Sequence, residues 1–289
     1  MSKLFRKIIK ALRLLITDFG EFQNKLGSFI RHLESVPRTR ITKKQVNGIL
    51  FEFDINYDPS EITDMFYQEY QRNTVKLMKR IIKKGDICID IGANIGYFSA
   101  IMLGCVGREG EVHSFEPVQD YYNRLTKIAL FNQGYKIFTN HMAIGYKKGT
   151  VKIFPYRTST IGWNTLLPCE INSPKVDIQI DRIDNYLFKN NLRNISLIKI
   201  DTEGYEFPVL LGLTEYLDRT FHRPAIICEV MPHAYPMLGY SLHDLNRYLK
   251  KYQYEAFDET DLKVKIDVTQ LTRIRNLIFT SIKESHKKL

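Results

Sequence analysis

Residues 87–98 read Ile87-Cys88-Ile89-Asp90-Ile91-Gly92-Ala93-Asn94-Ile95-Gly96-Tyr97-Phe98. Five residues with apolar neighbours on both sides of Asp90 read as a buried strand. A glycine turn follows, and then an apolar run long enough for a helix. Glycine at 92 and 96 lets the backbone come close to a ligand. The helix start presents amide N–H groups and a partial positive charge. Position 94 is Asn, so the pattern departs from the G-x-G-x-x-G fingerprint that cradles a diphosphate. An acid directly before the turn opposes a diphosphate as well, and suits a ligand with a cationic end.

Working outward, short apolar runs alternate with helical stretches. Ile87–Ile91, Glu111–Phe115, 136–139, 197–200 and 225–229 read as strands, and residues 95–104, 118–131, 204–213 and 241–252 as helices. Alternation of this kind predicts an α/β domain with a mostly parallel sheet and helices on both faces. Residues 150–183 break the rhythm. Val151–Phe154 and Val176–Ile180 read as added strands around a loop holding Gly162, Trp163, Pro168 and Pro174, which is a natural place for substrate specificity. Residues 62–82 read as one amphipathic helix stopped by Lys84-Gly85.

Charge is unevenly spread. The chain has 289 residues and a formal net charge of +10. Residues 1–50 hold eleven Lys or Arg against three acids, so the other 239 residues carry +2. Residues 4–33 repeat apolar groups at helical spacing, with Lys3, Lys7, Lys10 and Arg13 on the other face. Residues 1–60 are therefore expected to be a basic helical arm and linker, the linker running from Pro37 to Gln45, ahead of a domain over 61–289. Such an arm suits an anionic membrane surface, with contact through residues 1–35; the plainer reading is a helix packed on its own domain. A body of +2 argues against a broad nucleic-acid grip. Cys88, Cys105, Cys169 and Cys228 form no C-x-x-C pair and read as reduced thiols. With no secretory signal visible, a cytoplasmic, membrane-peripheral chain is expected.

Two further segments carry chemistry. Glu111-Val112-His113-Ser114-Phe115-Glu116-Pro117 ends a second strand in an acid 26 residues after Asp90, where a carboxylate can accept both hydroxyls of a ribose. The plainer reading of Glu116 is a helix cap. Leu197-Ile198-Lys199-Ile200-Asp201-Thr202-Glu203-Gly204 puts Lys199 and Asp201 on one sheet face at a strand's carboxyl end. Asp201 and Glu203 are thus the best-placed acids for proton abstraction or substrate orientation, Asp201 first. The competing reading has Glu203 capping the next helix while Lys199 neutralises a buried Asp201. Together with the loop at 92–96, these segments suit S-adenosylmethionine (SAM). Asp201, Glu203, Glu229 and His233 could also gather around a metal, but their spacing is not diagnostic, and no metal is assigned.

In order and spacing, GDICIDIGANIGYFS, EVHSFEP, NHMAIG, LIKIDTEGYEFPVLLG and PAIICEV resemble the FkbM family of SAM-dependent methyltransferases over roughly residues 65–280. The resemblance implies a Rossmann-like class I methyltransferase fold, with a seven-stranded sheet whose last strand is antiparallel. It implies SAM as cofactor and O-methylation of a sugar, glycan or small hydroxylated metabolite. By motif, Asp90, Gly92, Ala93, Asn94 and Gly96 would line the methionine end of SAM, Glu116 would hold the ribose, and Met142 and Ala143 would lie near the adenine. Asp201 and Glu203 would fall at the active-site edge. The alternatives are an RNA or protein methyltransferase, and a non-catalytic SAM-fold module tethered through the basic arm.

Overall fold

A computed structural model describes residues 41–54, 59–153 and 176–281. The helix expected over residues 4–33, its membrane contact, Trp163, Cys169 and most of the 150–183 insertion lie outside the described residues.

The chain opens with an antiparallel hairpin of β1 (Ile41–Val46) and β2 (Ile49–Asp54), followed by helices α1 (Pro59–Phe66) and α2 (Arg72–Ile81). Next come β3 (Ile87–Ile91), α3 (Tyr97–Val106), β4 (Glu111–Phe115), α4 (Gln119–Phe131) and β5 (Lys136–Asn140). A small second sheet pairs β6 (Ala143–Ile144) and β7 (Gly149–Ile153) with β8 (Val176–Asp181). The main sheet then resumes through α5 (Ile183–Lys189), β9 (Ile195–Ile200), α6 (Glu206–Leu211), α7 (Thr214–Arg219) and β10 (Ala225–Val230). It ends with α8 (Ala234–Met237), α9 (Leu242–Lys251), β11 (Tyr254–Asp258) and β12 (Arg275–Ser281).

The main sheet has the order β11-β12-β10-β9-β3-β4-β5. Neighbouring strands are parallel except at β12, which runs antiparallel to β10 and β11. This is the expected α/β fold with seven strands and one reversed. Its central strands are near-continuous apolar runs because both faces are covered. From β3 the chain winds outward to β4 and β5, then returns to the other side of β3 as β9. The strand order therefore reverses between β3 and β9, and their carboxyl ends flank a crevice where open α/β sheets place ligands.

Two core layers lie on the two faces. Ile89, Ile91, Ile198, Ile200 and Phe115 pack toward α5, α6 and α9. Cys88, Val112, Leu197 and Ile227 pack toward α2, α3 and the hairpin. Side chains alternate along each strand, and Asp90 pairs with Ser114 and Lys199, which in turn pairs with Ile227. Asp90, Ser114, Lys199 and Glu229 are therefore on one face, the α3 face.

The structure corrects two elements. The linker expected to reach Gln45 is strand from Ile41, and the hairpin turns at Asn47-Gly48, both with positive φ (51° and 83°), as a type I′ turn requires. Val46, Ile49, Phe51 and Phe53 are buried on the domain, and α3 comes so near that a Cβ on Gly104 would sit 2.1 Å from the Asn47 carbonyl oxygen. The single helix expected over 62–82 is two helices. Between them Gln68 (φ 59°) and Gln71 (φ 41°) are left-handed, and the amides of Glu69 and Tyr70 both donate to the Asp64 carbonyl. With the break in place, Phe66 packs on Phe53 and Tyr70 on Tyr97.

Candidate active site

The glycine turn is fastened on every side. Gly92 and Ala93 donate their amides to the Phe115 carbonyl (3.0 Å each), Asn94 to Glu116 Oε2 (2.8 Å) and Gly96 to the Ala93 carbonyl (2.8 Å). Ile95 donates to the Asn94 side chain at 2.7 Å, with Asn94 itself left-handed (φ 53°). Gly92 has φ 78°, and a Cβ there would lie 1.7 Å from the Asp201 carbonyl oxygen. The Asp201 amide in turn donates to the Ile91 carbonyl. The turn thus needs glycine for both conformation and space, and it fits β3 directly against the end of β9.

Glu116 ties this turn to the second strand. It is 4% exposed; Oε2 accepts from Asn94 and Oε1 from the Val118 amide, 2.8 Å each. Burial pushes its carboxyl up to about 7, against these two hydrogen bonds. Glu116 is not the cap of α4, whose N-cap is Val118 with no side-chain cap hydrogen bond, and each of its oxygens still has a second lone pair for a ligand hydroxyl. Asp90 lies behind the turn, fully buried. Ser99 Oγ donates to its Oδ2 at 2.6 Å and meets Ser114 Oγ at 2.8 Å, while Oδ1 has no hydrogen-bond partner. Burial raises its carboxyl, opposed by Lys199.

The end of β9 carries the densest charge. Lys199 is 3% exposed, and its Nζ donates to Asp201 Oδ2 at 2.8 Å while lying 4.4 Å from the centre of the Phe98 ring. Burial works against its charge, but Asp201 and Asp90 prevail and raise it. Glu203, left-handed at φ 53°, is pushed up to about 9 by burial and then by Asp201 and Glu229. Glu229, at the end of β10, is pushed up to about 8 by burial and then by Asp201.

Glu206 was not singled out in the sequence. It is fully buried and braces the turn, its Oε1 accepting from the amides of Thr202 (3.1 Å) and Gly204 (2.8 Å). The sequence signal was an acid in the first turn of the helix after Thr202-Glu203-Gly204. Glu203 does not cap α6, whose N-cap is Tyr205 with no side-chain cap hydrogen bond.

Met142 and Ala143 follow β5, the Met142 amide donating to Asn140 and Ala143 entering β6 beside Ile180. Since Asn140 also receives the Glu116 amide, both lie beyond the ends of β4 and β5, next to Glu116. His113 is structural, stacked on Phe138 and bonded to the Tyr186 hydroxyl at 2.9 Å. His233 is exposed. Among the described residues no group of three or more His, Cys, Asp and Glu is arranged to hold a metal ion, and no helix is long and apolar enough to cross a membrane. Cys88 and Cys228 are buried free thiols and Cys105 is a half-buried one.

The chemistry of these groups discriminates between ligands. A diphosphate needs unengaged amides, and the 92–96 turn offers none. What surrounds the crevice is one face of carboxyls with a single buried ammonium among them, Lys199, already paired to Asp201. Asp90, Glu116, Glu203, Glu206 and Glu229 are held at raised values, and Asp90 has an orphaned oxygen, so a cation arriving here relieves repulsion. SAM, with its sulfonium and ammonium, fits this site.

A mostly parallel seven-stranded sheet with one reversed strand and a glycine turn at the switch point is the class I fold of SAM-dependent methyltransferases. The family model described as the methyltransferase FkbM domain matches residues 90–256. The chain belongs to the FkbM methyltransferase family, whose methyl donor is SAM.

No curated protein matches the chain in sequence. Among solved structures it is similar to methyltransferase FkbM from Methylobacillus flagellatus KT, at 13% identity and a TM-score of 0.43, covering 89% of this chain and 59% of that one. The chain thus spans well under two thirds of the length of that protein. It is also similar to M. jannaschii TYW2 in complex with AdoMet (15% identity, TM-score 0.43, 85% and 86% covered). Aeropyrum pernix fibrillarin with bound S-adenosyl-L-methionine matches at 12% identity and a TM-score of 0.41, with 86% of each chain covered.

Proposed function

We propose that this chain transfers the methyl group of SAM to a hydroxyl of a sugar, a glycan or a small hydroxylated metabolite. The observation that carries the reading is the Lys199–Asp201 pair with Glu203 at the end of β9, set against the glycine turn at Gly92. When bound, SAM supplies an electrophilic methyl on a positively charged sulfur. Glu116 accepts from the ribose hydroxyls with the lone pairs its two backbone donors leave. Gly92, Ala93, Asn94 and Gly96 shape the turn against which the methionine end lies, and Asp90 acts on that cationic end through its field from behind the turn. Met142 and Ala143 form the apolar contact for the adenine.

A sugar hydroxyl is a poor acid, so its oxygen needs a carboxylate to orient it and to take its proton. Asp201 is assigned that role. Lys199 fixes one of its oxygens and the other is directed to the acceptor. Glu203 carries a proton at neutral pH and becomes a second acceptor once a cation beside it draws its pKa down.

The test has two parts. Calorimetric titration with S-adenosylhomocysteine (SAH) should give about micromolar binding to the wild type, near −8 kcal/mol, and weaker binding to Glu116→Ala. In SAM turnover assays with a panel of monosaccharide and glycoside acceptors, Asp201→Asn should slow transfer by about 10²- to 10⁴-fold while leaving SAH binding in place. Wild-type speed in that variant removes Asp201 as the base. Turnover of RNA in place of every sugar would overturn the acceptor class.

A further inference from the structure

Tyr70 stands outside the residues that match the family model, and its position is expensive to build. It sits in the break between α1 and α2, bracketed by left-handed Gln68 and Gln71. Such conformations cost non-glycine residues free energy and persist where surrounding structure holds them. Gln71 Oε1 accepts from Thr74 Oγ1 and from Asn276 Nδ2 (3.4 Å each), and Asn276 is the β12 partner of Glu229. The break is thus laced to the strand beside a site carboxylate. The Tyr70 ring lies 5.8 Å from Tyr97, edge to face, and 6.0 Å from Phe98, the first residues after the glycine turn. Phe98 in turn lies under the Lys199 ammonium that holds Asp201. Burial, and then Glu61, Asp201 and Glu229, raise the Tyr70 phenol, so its ring stays neutral. The Tyr70 ring thus stands one ring, Phe98, away from the Lys199–Asp201 pair at the carboxyl end of β9, and a neutral aromatic ring there suits a soft, weakly hydrated cation.

We propose that Tyr70 is a specificity-determining residue of the donor site, its ring contacting the methylated sulfonium and favouring the cationic donor over its neutral thioether product. This rests on the reading of the crevice as the SAM site. The ring face, rather than the hydroxyl, carries the preference, because a π face attracts a cation more strongly than a neutral thioether of the same shape.

The experiment is calorimetric titration of the full chain with SAM and, separately, with SAH, for wild type, Tyr70→Phe and Tyr70→Ala, each checked by thermal melting. Tyr70→Ala should lose about five- to tenfold in SAM affinity with SAH affinity within about twofold, while Tyr70→Phe keeps the wild-type ratio of the two. Equal weakening of both ligands, no change in either, or a ratio lost in Tyr70→Phe overturns the proposal. If Tyr70→Ala does not fold, Tyr70→Leu, which keeps bulk without a π face, is read the same way. A folded wild type that binds neither ligand fails the donor-site reading itself, a result distinct from an altered ratio.

Discussion

Gly92 and Lys199 show how few atoms hold the site in shape. A methyl group added at Gly92 meets the Asp201 carbonyl oxygen at 1.7 Å in a left-handed backbone. We expect Gly92→Ala to lower stability by about 2–4 kcal/mol and to abolish SAH binding, read by urea unfolding and calorimetry; wild-type values for both would refute the close fit of β3 to β9. Lys199 is the buried cation between Asp90 and Asp201, and removing one partner of a buried pair leaves the other charge uncompensated. Lys199→Met should therefore cost about 3–5 kcal/mol in urea unfolding. A loss below about 1 kcal/mol would refute Lys199 as the needed counter-charge of the two acids.

Among the elements, the β1–β2 hairpin does more than precede the domain. β2 alternates buried and half-buried residues while β1 is mostly exposed or half-buried, and Asn132 at the end of α4 clamps the hairpin. Asn132 accepts from the Leu50 amide at 2.8 Å and donates to the Leu50 carbonyl at 2.9 Å. Replacing Asn132 by Leu strands both backbone groups, and a loss of about 2–4 kcal/mol is expected in urea unfolding. The hairpin braces α3, which continues from the glycine turn, so the same substitution should also weaken SAH binding. Binding unchanged in a destabilised but folded variant would separate the hairpin from the site. The turn signal Asn47-Gly48 was legible in the sequence, between Thr42–Val46 and the alternating Ile49–Asp54. It was masked by the basic, polar stretch before it.

Over the whole molecule, the crowding of acids at the carboxyl end of the sheet couples stability to pH and to ligand. Glu116 and Glu206 are held near 7, Glu229 near 8 and Glu203 near 9, all above an unfolded carboxyl. The folded chain keeps protons that the unfolded chain releases. This stabilisation is complete below the unfolded value, about 4.5, and is lost as pH climbs through 7 to 9. The melting temperature of the ligand-free protein should fall between pH 5 and 9. The stabilisation by SAM should grow over the same window, since a cation favours the ionised acids. Melting curves at unit pH steps, with and without SAM, check both trends, and a melting temperature flat from pH 5 to 9 would sink the coupling.

Strand and helix alternation, the glycine turn and the three strand-end acids were legible in the sequence because each is a local pattern. Period, turn chemistry and apolar runs are written in neighbouring residues. What only the tertiary structure decided is which distant residues share a face. Asp90, Ser114, Lys199 and Glu229 meet because strand register aligns them. Tyr70 packs on Tyr97 and Phe98 across a helix break that no local pattern announces. Raised carboxyl values have the same origin: burial and the approach of acids from three strands, neither of which any one segment contains. Local sequence thus set the elements and the donor chemistry, while long-range packing set the electrostatics of the site.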